Sequence, residues 1–219
     1  MMYIIVNTHK NNKIASDLLL ESIPTEFRLL VVEGGHEECT ISCILDTLRY
    51  KMTVNHNSID FTGMIGVVEN IDLITSKTDW DIPKYWFYIH DTCKVVEPVR
   101  FASIFNRPYT NNNYPLCKFP SMNMGVYLHK DFMIHKNLLL SFKSDVDTQH
   151  LKAKCVTSED ILFKKAGTSN NVLSVKTNLP GFFRYPSSTV DRIQEYYVDV
   201  GLLKYKANWH TKKVYELHY

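Results

Sequence analysis

Apolar residues along this chain gather into short, nearly unbroken runs rather than strictly alternating ones. Residues 3–6 (YIIV), 29–32 (LLVV), 86–89 (WFYI), 124–128 (MGVYL) and 172–175 (VLSV) each read as a strand. Continuous runs of this length suit strands covered on both faces, so the pattern predicts a mainly parallel sheet flanked by helices. Between the first two runs, NNKIASDLLLESI repeats Ile14, Leu18, Leu19 and Ile23 at helical spacing, with Asn11 or Asn12 placed to cap the start. Strand, helix and strand within the first 32 residues form a βαβ opening.

Later elements follow from the same reading. EGGHEE supplies a glycine turn and acidic residues ahead of CTISCILDTLRY, which reads as a helix over residues 39–50. GMIGVVENIDLI is a weaker helical stretch. NRPYTNNNYPLCKFPS, with three prolines and four asparagines, reads as a long irregular loop, and loops of that length in a compact fold usually carry function. SEDILFKKAG reads as a short helix capped by Ser158 and ended by Gly167. No repeat, low-complexity tract or linker interrupts the chain, so one domain is expected, its residues 1–105 and 106–219 forming two halves.

Composition narrows the function classes. A net charge of +2 without any Lys/Arg run argues against a nucleic-acid partner, while leaving room for a small anionic ligand. No window approaches the roughly 18 apolar residues of a membrane span. The opening MMYIIVNTHK has no basic n-region of a signal peptide, and a cytoplasmic location is the expectation. The five cysteines are scattered, with no CxxC or CxxH pair, and read as free thiols rather than as a zinc site.

In a sheet of parallel strands with helical crossovers, ligands gather at the strands' carboxyl ends. Here those ends carry NTHK (Asn7 to Lys10), EGG (Glu33 to Gly35) and HDTC (His90 to Cys93), all polar and all on one expected edge. Asp91 is either a ligand-binding carboxylate or a solvated strand end. Asn7, Thr8 and Lys10 either cap the next helix or, with its backbone N–H groups, meet a nucleotide. Glu159 and Asp160 suit the first turn of a helix, and equally a proton acceptor.

The order and spacing of these segments resemble the GT-A glycosyltransferases over nearly the whole chain. IIVNTHKN is similar to that family's first donor-binding loop, with Asn7, Thr8 and His9. LLVVEGG is similar to its second, whose acidic residue, here Glu33, holds the nucleobase or ribose. WFYIHDTC stands where such enzymes carry the DxD motif that binds a divalent cation and the donor diphosphate. SMNMGVYLHKDFM, with Gly125, resembles the segment lining the donor-sugar and acceptor pocket. SEDILF resembles the xED motif of inverting members.

The resemblance implies a Rossmann-like α/β fold and transfer of a sugar from a nucleoside diphosphate to a hydroxyl of a glycan or glycolipid. Asp160 would be the general base, with Glu159 next in line. Asp91 would hold Mn²⁺ or Mg²⁺, joined by His210 or, as second choice, His218. One departure stands out: the DxD position reads Asp91-Thr92-Cys93, so one carboxylate is missing. A thiol is a poor ligand for a hard cation. The alternative is a non-catalytic nucleotide- or glycan-binding module of the same fold. A nucleotidyltransferase ranks last, because NTHKNNK lacks the glycines that such a loop needs.

Overall fold

The computed structural model describes residues 1–118, 123–144, 149–165, 172–183 and 192–204. In chain order the elements begin with β1 (Met2–His9), α1 (Lys13–Ser22), β2 (Leu29–Gly34), β3 (Thr40–Cys43), β4 (Arg49–Thr53), α2 (Thr62–Thr78) and β5 (Tyr85–His90). They continue with β6 (Cys93–Val95), α3 (Pro98–Ser103), β7 (Tyr114–Pro115), β8 (Gly125–Leu128), α4 (His129–Ile134), α5 (Lys136–Leu140), α6 (Gln149–Ser158) and α7 (Ile161–Lys165). The last described elements are β9 (Lys176–Phe183), β10 (Arg192–Tyr197) and β11 (Leu202–Lys204).

Seven strands form the main sheet in the order β3-β4-β2-β1-β5-β8-β7. β4, β2, β1 and β5 run parallel, as the unbroken apolar runs predict. The expectation of a mainly parallel sheet needs correction, because β3, β8 and β7 join antiparallel and the sheet is mixed. A second, antiparallel sheet runs β6-β11-β10-β9. Both sheets take strands from either side of residue 105.

β1, β2 and β5 are buried on both faces because helices cover both. On one face Leu19 and Ile23, from and just past α1, pack on Ile4, Val6, Leu29 and Val31. On the other, Met64, Ile65, Val67 and Val68 of α2 pack on Tyr3, Ile5, Leu30 and Val32. Within α2, Gly66 makes the close approach feasible: a Cβ there would stand 2.7 Å from Val32 Cγ1 and 2.9 Å from Met52 Cε. The buried stripe of α1 is Ala15 and Leu19, whereas Ile14 is mostly exposed. The buried guanidinium of Arg49 closes the far end of α1, donating to the carbonyls of Leu20 (3.1 Å) and Ile23 (2.7 Å).

The helix expected over residues 39–50 is instead the β3–β4 hairpin. Its apolar positions pack as strand residues, with Ile41 facing Met52 across the ladder. The strand expected over 172–175 lies just before β9 rather than in it. No described helix is long and apolar enough to cross a membrane.

Candidate functional site

β1 leads through α1 to β2 on one side, while the chain returns from β4 through α2 to β5 on the other side of β1. The connections therefore diverge between β1 and β5, with helices on opposite faces. Such a divergence opens a crevice at the strands' carboxyl ends. The residues there are Thr8 and Asp91, and they touch: Thr8 Oγ1 donates to Asp91 Oδ2 at 2.7 Å.

Asn12 stands at the N-cap of α1 but makes no side-chain cap bond. Its Nδ2 donates instead to the same Asp91 Oδ2 at 3.1 Å, and the Asp91 backbone N–H donates to the Asn7 carbonyl at 3.1 Å. The Asp91 carboxyl, 5% exposed, thus ties the start of α1 to the end of β5. Burial pushes its pKa up to about 6, against the hydrogen bonds from Thr8 and Asn12 and with the help of the negative charge of Asp60.

Successive strand residues point to opposite faces, and His90 accordingly faces the α2 side with Tyr88. It is 8% exposed, and its Nδ1 lies 3.6 Å from Asp60 Oδ1. Burial lowers its pKa to about 4, the carboxylate of Asp60 opposing that and Lys204 adding to it. The ring is therefore a neutral imidazole at neutral pH, and among the described residues Nε2 meets no hydrogen-bond partner.

Asp60 belongs to a short 3₁₀ turn, Ile59–Phe61, that leads into α2. The turn is held in a demanding shape, with β-branched Ile59 at φ +51°. The Asp60 carbonyl accepts from Tyr88 Oη at 2.9 Å and from the Asn123 side chain. A helix over residues 39–50 leaves no strand to end ahead of Asp60, so the apolar pattern does not single it out. Recognising β4 there makes the loop after Thr53 a fourth polar strand end, and Asp60 is its acidic residue.

Glu159 and Asp160 lie in the turn between α6 and α7, and they are not equivalent. Asp160 Oδ1 pairs with Lys164 Nζ at 2.8 Å, one helical turn on, with the lysine mostly exposed. Glu159 is half-buried, and burial raises its pKa to about 7. The charges of Asp60 and Asp160 push in the same direction, and Lys204 pulls against them. Of the two, Glu159 is the one whose carboxyl would hold a proton near neutrality, and Asp60, at the entry to α2, is among the charges acting on it.

Other expected site residues have structural partners. Asn7 Nδ2 donates to the Ile59 carbonyl (3.0 Å), while its Oδ1 accepts the Gly63 N–H (2.7 Å) in the first turn of α2. Its side chain caps α2 from β1. Asn7→Ala is expected to cost about 2 kcal/mol, as for loss of a cap plus a buried acceptor's partner. Thermal denaturation would read this as a fall of ~4–8 °C for a domain of this size.

His9 Nδ1 accepts the Asn11 N–H, and its Nε2 fills the space over Gly35, where a Cβ would stand 2.4 Å away. Glu33 is 8% exposed, with Oε1 receiving His36 Nε2 (2.8 Å) and Lys51 Nζ (3.2 Å). It sits beside Thr8 in the ladder, so its carboxylate remains on the same edge as Asp91. Gly125 begins β8 opposite Tyr88, packed against β7. His210 and His218 lie outside the described residues.

Cys93 does not supply a second ligand for a divalent cation beside Asp91. Cys93 is fully buried with Sγ toward Met124 Sδ (3.6 Å), and burial pushes its pKa up to about 12, so it stays a neutral thiol. Asp91 Oδ2 is occupied by two donors. Among the described residues no group of three or more His, Cys, Asp or Glu side chains is arranged to hold a metal. Compared with known proteins, the chain matches no family model, no curated protein and no solved structure.

Proposed function

We propose that the chain is a glycosyltransferase of GT-A type that moves a sugar from a nucleoside diphosphate to a hydroxyl of a glycan or glycolipid. The observation that carries the reading is the polar end of β1 and β5, where Thr8 and Asn12 hold the Asp91 carboxyl, together with a second carboxyl, Glu159, that feels the charge of Asp60 at the entry to α2. Asp91 is buried and hydrogen-bonded by Thr8 and Asn12, while Glu159 is half-buried with a proton affinity near neutrality. A base poised near pH 7 is suited to taking a hydroxyl proton.

In this mechanism Glu159 removes the proton from the acceptor hydroxyl as its oxygen attacks the anomeric carbon. The bond from that carbon to the diphosphate oxygen breaks, and the nucleoside diphosphate leaves with the bonding pair. A single displacement of this kind inverts the anomeric centre. Asp91 and Thr8 shape the end of β1 and β5 against which the donor rests, and Glu33 supplies an acceptor for its nucleoside.

A non-catalytic binding module is the second reading, favoured by the thiol of Cys93 and by the two donors already on Asp91 Oδ2. The first reading requires a nucleotide site; the second takes a nucleotide or a glycan. Titrating UDP, GDP and their sugar conjugates is expected to raise the melting temperature with at least one of them. At a hundredfold excess over Kd the gain is about 2.7 kcal/mol, or ~5–11 °C for this chain length. No shift with any of them overturns the first reading, and binding without transfer to any acceptor favours the second.

A further inference from the structure

Two buried polar atoms near the end of β5, His90 Nε2 and Asn123 Oδ1, meet no hydrogen-bond partner among the described residues. Their residues are 8% and 1% exposed, so bulk water does not satisfy them either. Folds keep few such atoms, because a buried acceptor without a donor is destabilising. Both residues are tied to Asp60. His90 Nδ1 stands 3.6 Å from its carboxylate, and Asn123 Nδ2 donates to its carbonyl.

Those ties fix what the two atoms offer. A carboxylate only accepts, so the proton of the neutral ring belongs on Nδ1, and Nε2 keeps its lone pair. A carbonyl also only accepts, so the Asn123 amide turns its nitrogen to Asp60 and its oxygen away. The Asn123 side chain favours the charged form of His90, as an acceptor beside a second ring proton does. Its oxygen and Nε2 are therefore neighbours, and on the neutral ring they are two acceptors that cannot bond each other. Whatever stands between them must bring donors. An ionised phosphate brings none, whereas each sugar hydroxyl brings one. The proposed base belongs to the same side: Cys155 Sγ of α6 lies 3.8 Å from the Ser58 carbonyl, where the Asp60 turn begins, and Glu159 follows one helical turn on.

We propose that His90 Nε2 and Asn123 Oδ1 form a subsite for the sugar of the donor, each accepting a hydrogen bond from one of its hydroxyls. The inference rests on the reading of this crevice as a nucleotide-sugar site. It assigns recognition of the sugar to the α2 face of the sheet, opposite the face that Asp91 takes. Entry requires a side chain to move, and Asp60 is placed for it. Its side chain is 20% exposed, and its 3.6 Å approach to Nδ1 is longer than a hydrogen bond.

Calorimetric titration of the whole chain compares UDP with UDP-glucose and UDP-N-acetylglucosamine, and GDP with GDP-mannose. His90→Phe keeps the edge contact of the ring with Tyr88 and removes the Nε2 lone pair. It is expected to weaken at least one sugar conjugate about tenfold, as for loss of a hydrogen bond, and to leave the bare diphosphates unchanged. Its melting temperature should not fall, because the atom removed has no partner to lose. Should His90→Phe not fold, His90→Asn keeps a donor toward Asp60 and is titrated instead. Asn123→Ala should show the same selectivity. Nitrogen NMR of the His90 ring should find the proton on Nδ1; a proton on Nε2 means an internal bond to Asn123 and overturns the inference. Unchanged conjugate affinity, or equal weakening of conjugate and diphosphate, overturns it too and leaves the proposed function standing. No binding of any of these nucleotides to the unaltered chain overturns the proposed function, and the subsite with it.

Discussion

Glu159→Gln is expected to lower sugar transfer at pH 7 by about 10²–10⁴-fold, the range for loss of a general base. Asp160→Asn is expected to change it by less than about fivefold, because an exposed i,i+4 pair is worth ~1 kcal/mol at most. Initial rates of nucleoside diphosphate release, with the donor that raises the melting temperature, measure both. The contrast reverses what the resemblance to the xED motif implies for Asp160. It follows from environment: Asp160 pairs with Lys164 at 2.8 Å, while Glu159 is pushed up to about 7 by burial and by Asp60. The opposite ranking of the two variants would return the role to Asp160.

The same assignment fixes a pH dependence. A general base works deprotonated, so kcat/KM should rise with pH through about 7 and then level off. The negative charge of Asp60 raises the proton affinity of Glu159, so removing it must lower that affinity. Asp60→Asn should therefore move the rising limb to lower pH. A purely structural role for Asp60 would reduce the plateau and leave the limb in place.

Much of the parallel core was legible, because strands buried on both faces must be apolar throughout. Three of the polar ends at its carboxyl edge were legible for the same reason. The hairpin of β3 and β4 was not. Ile41, Ile44 and Leu48 recur at spacings compatible with a helix, and only pairing with β2 decides for the strand Arg49–Thr53. That one misreading hid Asp60, whose approach to His90 depends on where β4 ends.

The side-chain partners were also hidden, since they join residues far apart in the chain. Asn12 was legible as a helix cap by residue type. Its amide instead spans 79 positions to Asp91, which no local pattern records. Asn7 likewise caps a helix distant in the chain, α2, 56 residues away.

Gly125→Ala is expected to destabilise the fold by about 3 kcal/mol or more, through backbone strain and steric overlap together. Gly125 has φ +152°, outside the range that side chains favour. A Cβ there would stand 2.3 Å from the Tyr114 carbonyl oxygen and 3.1 Å from the Leu116 backbone N. Both are backbone atoms of β7 and its continuation, fixed by the ladder that joins Tyr114 to Val126 and Pro115 to Gly125. Phe163 Cζ, at 3.0 Å, closes the remaining side, and Phe163 itself stacks on Tyr127. None of the three neighbours can retreat alone, so the sheet edge must shift as a unit. Thermal unfolding should show a fall of ~6–12 °C or more.

The position matters for interpreting activity as well. α7 carries Phe163 and follows directly from the turn that holds Glu159. Displacing it would disturb the base, and a loss of transfer in Gly125→Ala would then reflect packing rather than a lost donor contact. Nucleotide titration below the variant's melting temperature separates the two. A variant that is fully stable but cannot bind UDP or GDP would restore Gly125 to the ligand pocket; a destabilised one that still binds identifies it as the hinge of the β7–β8 edge.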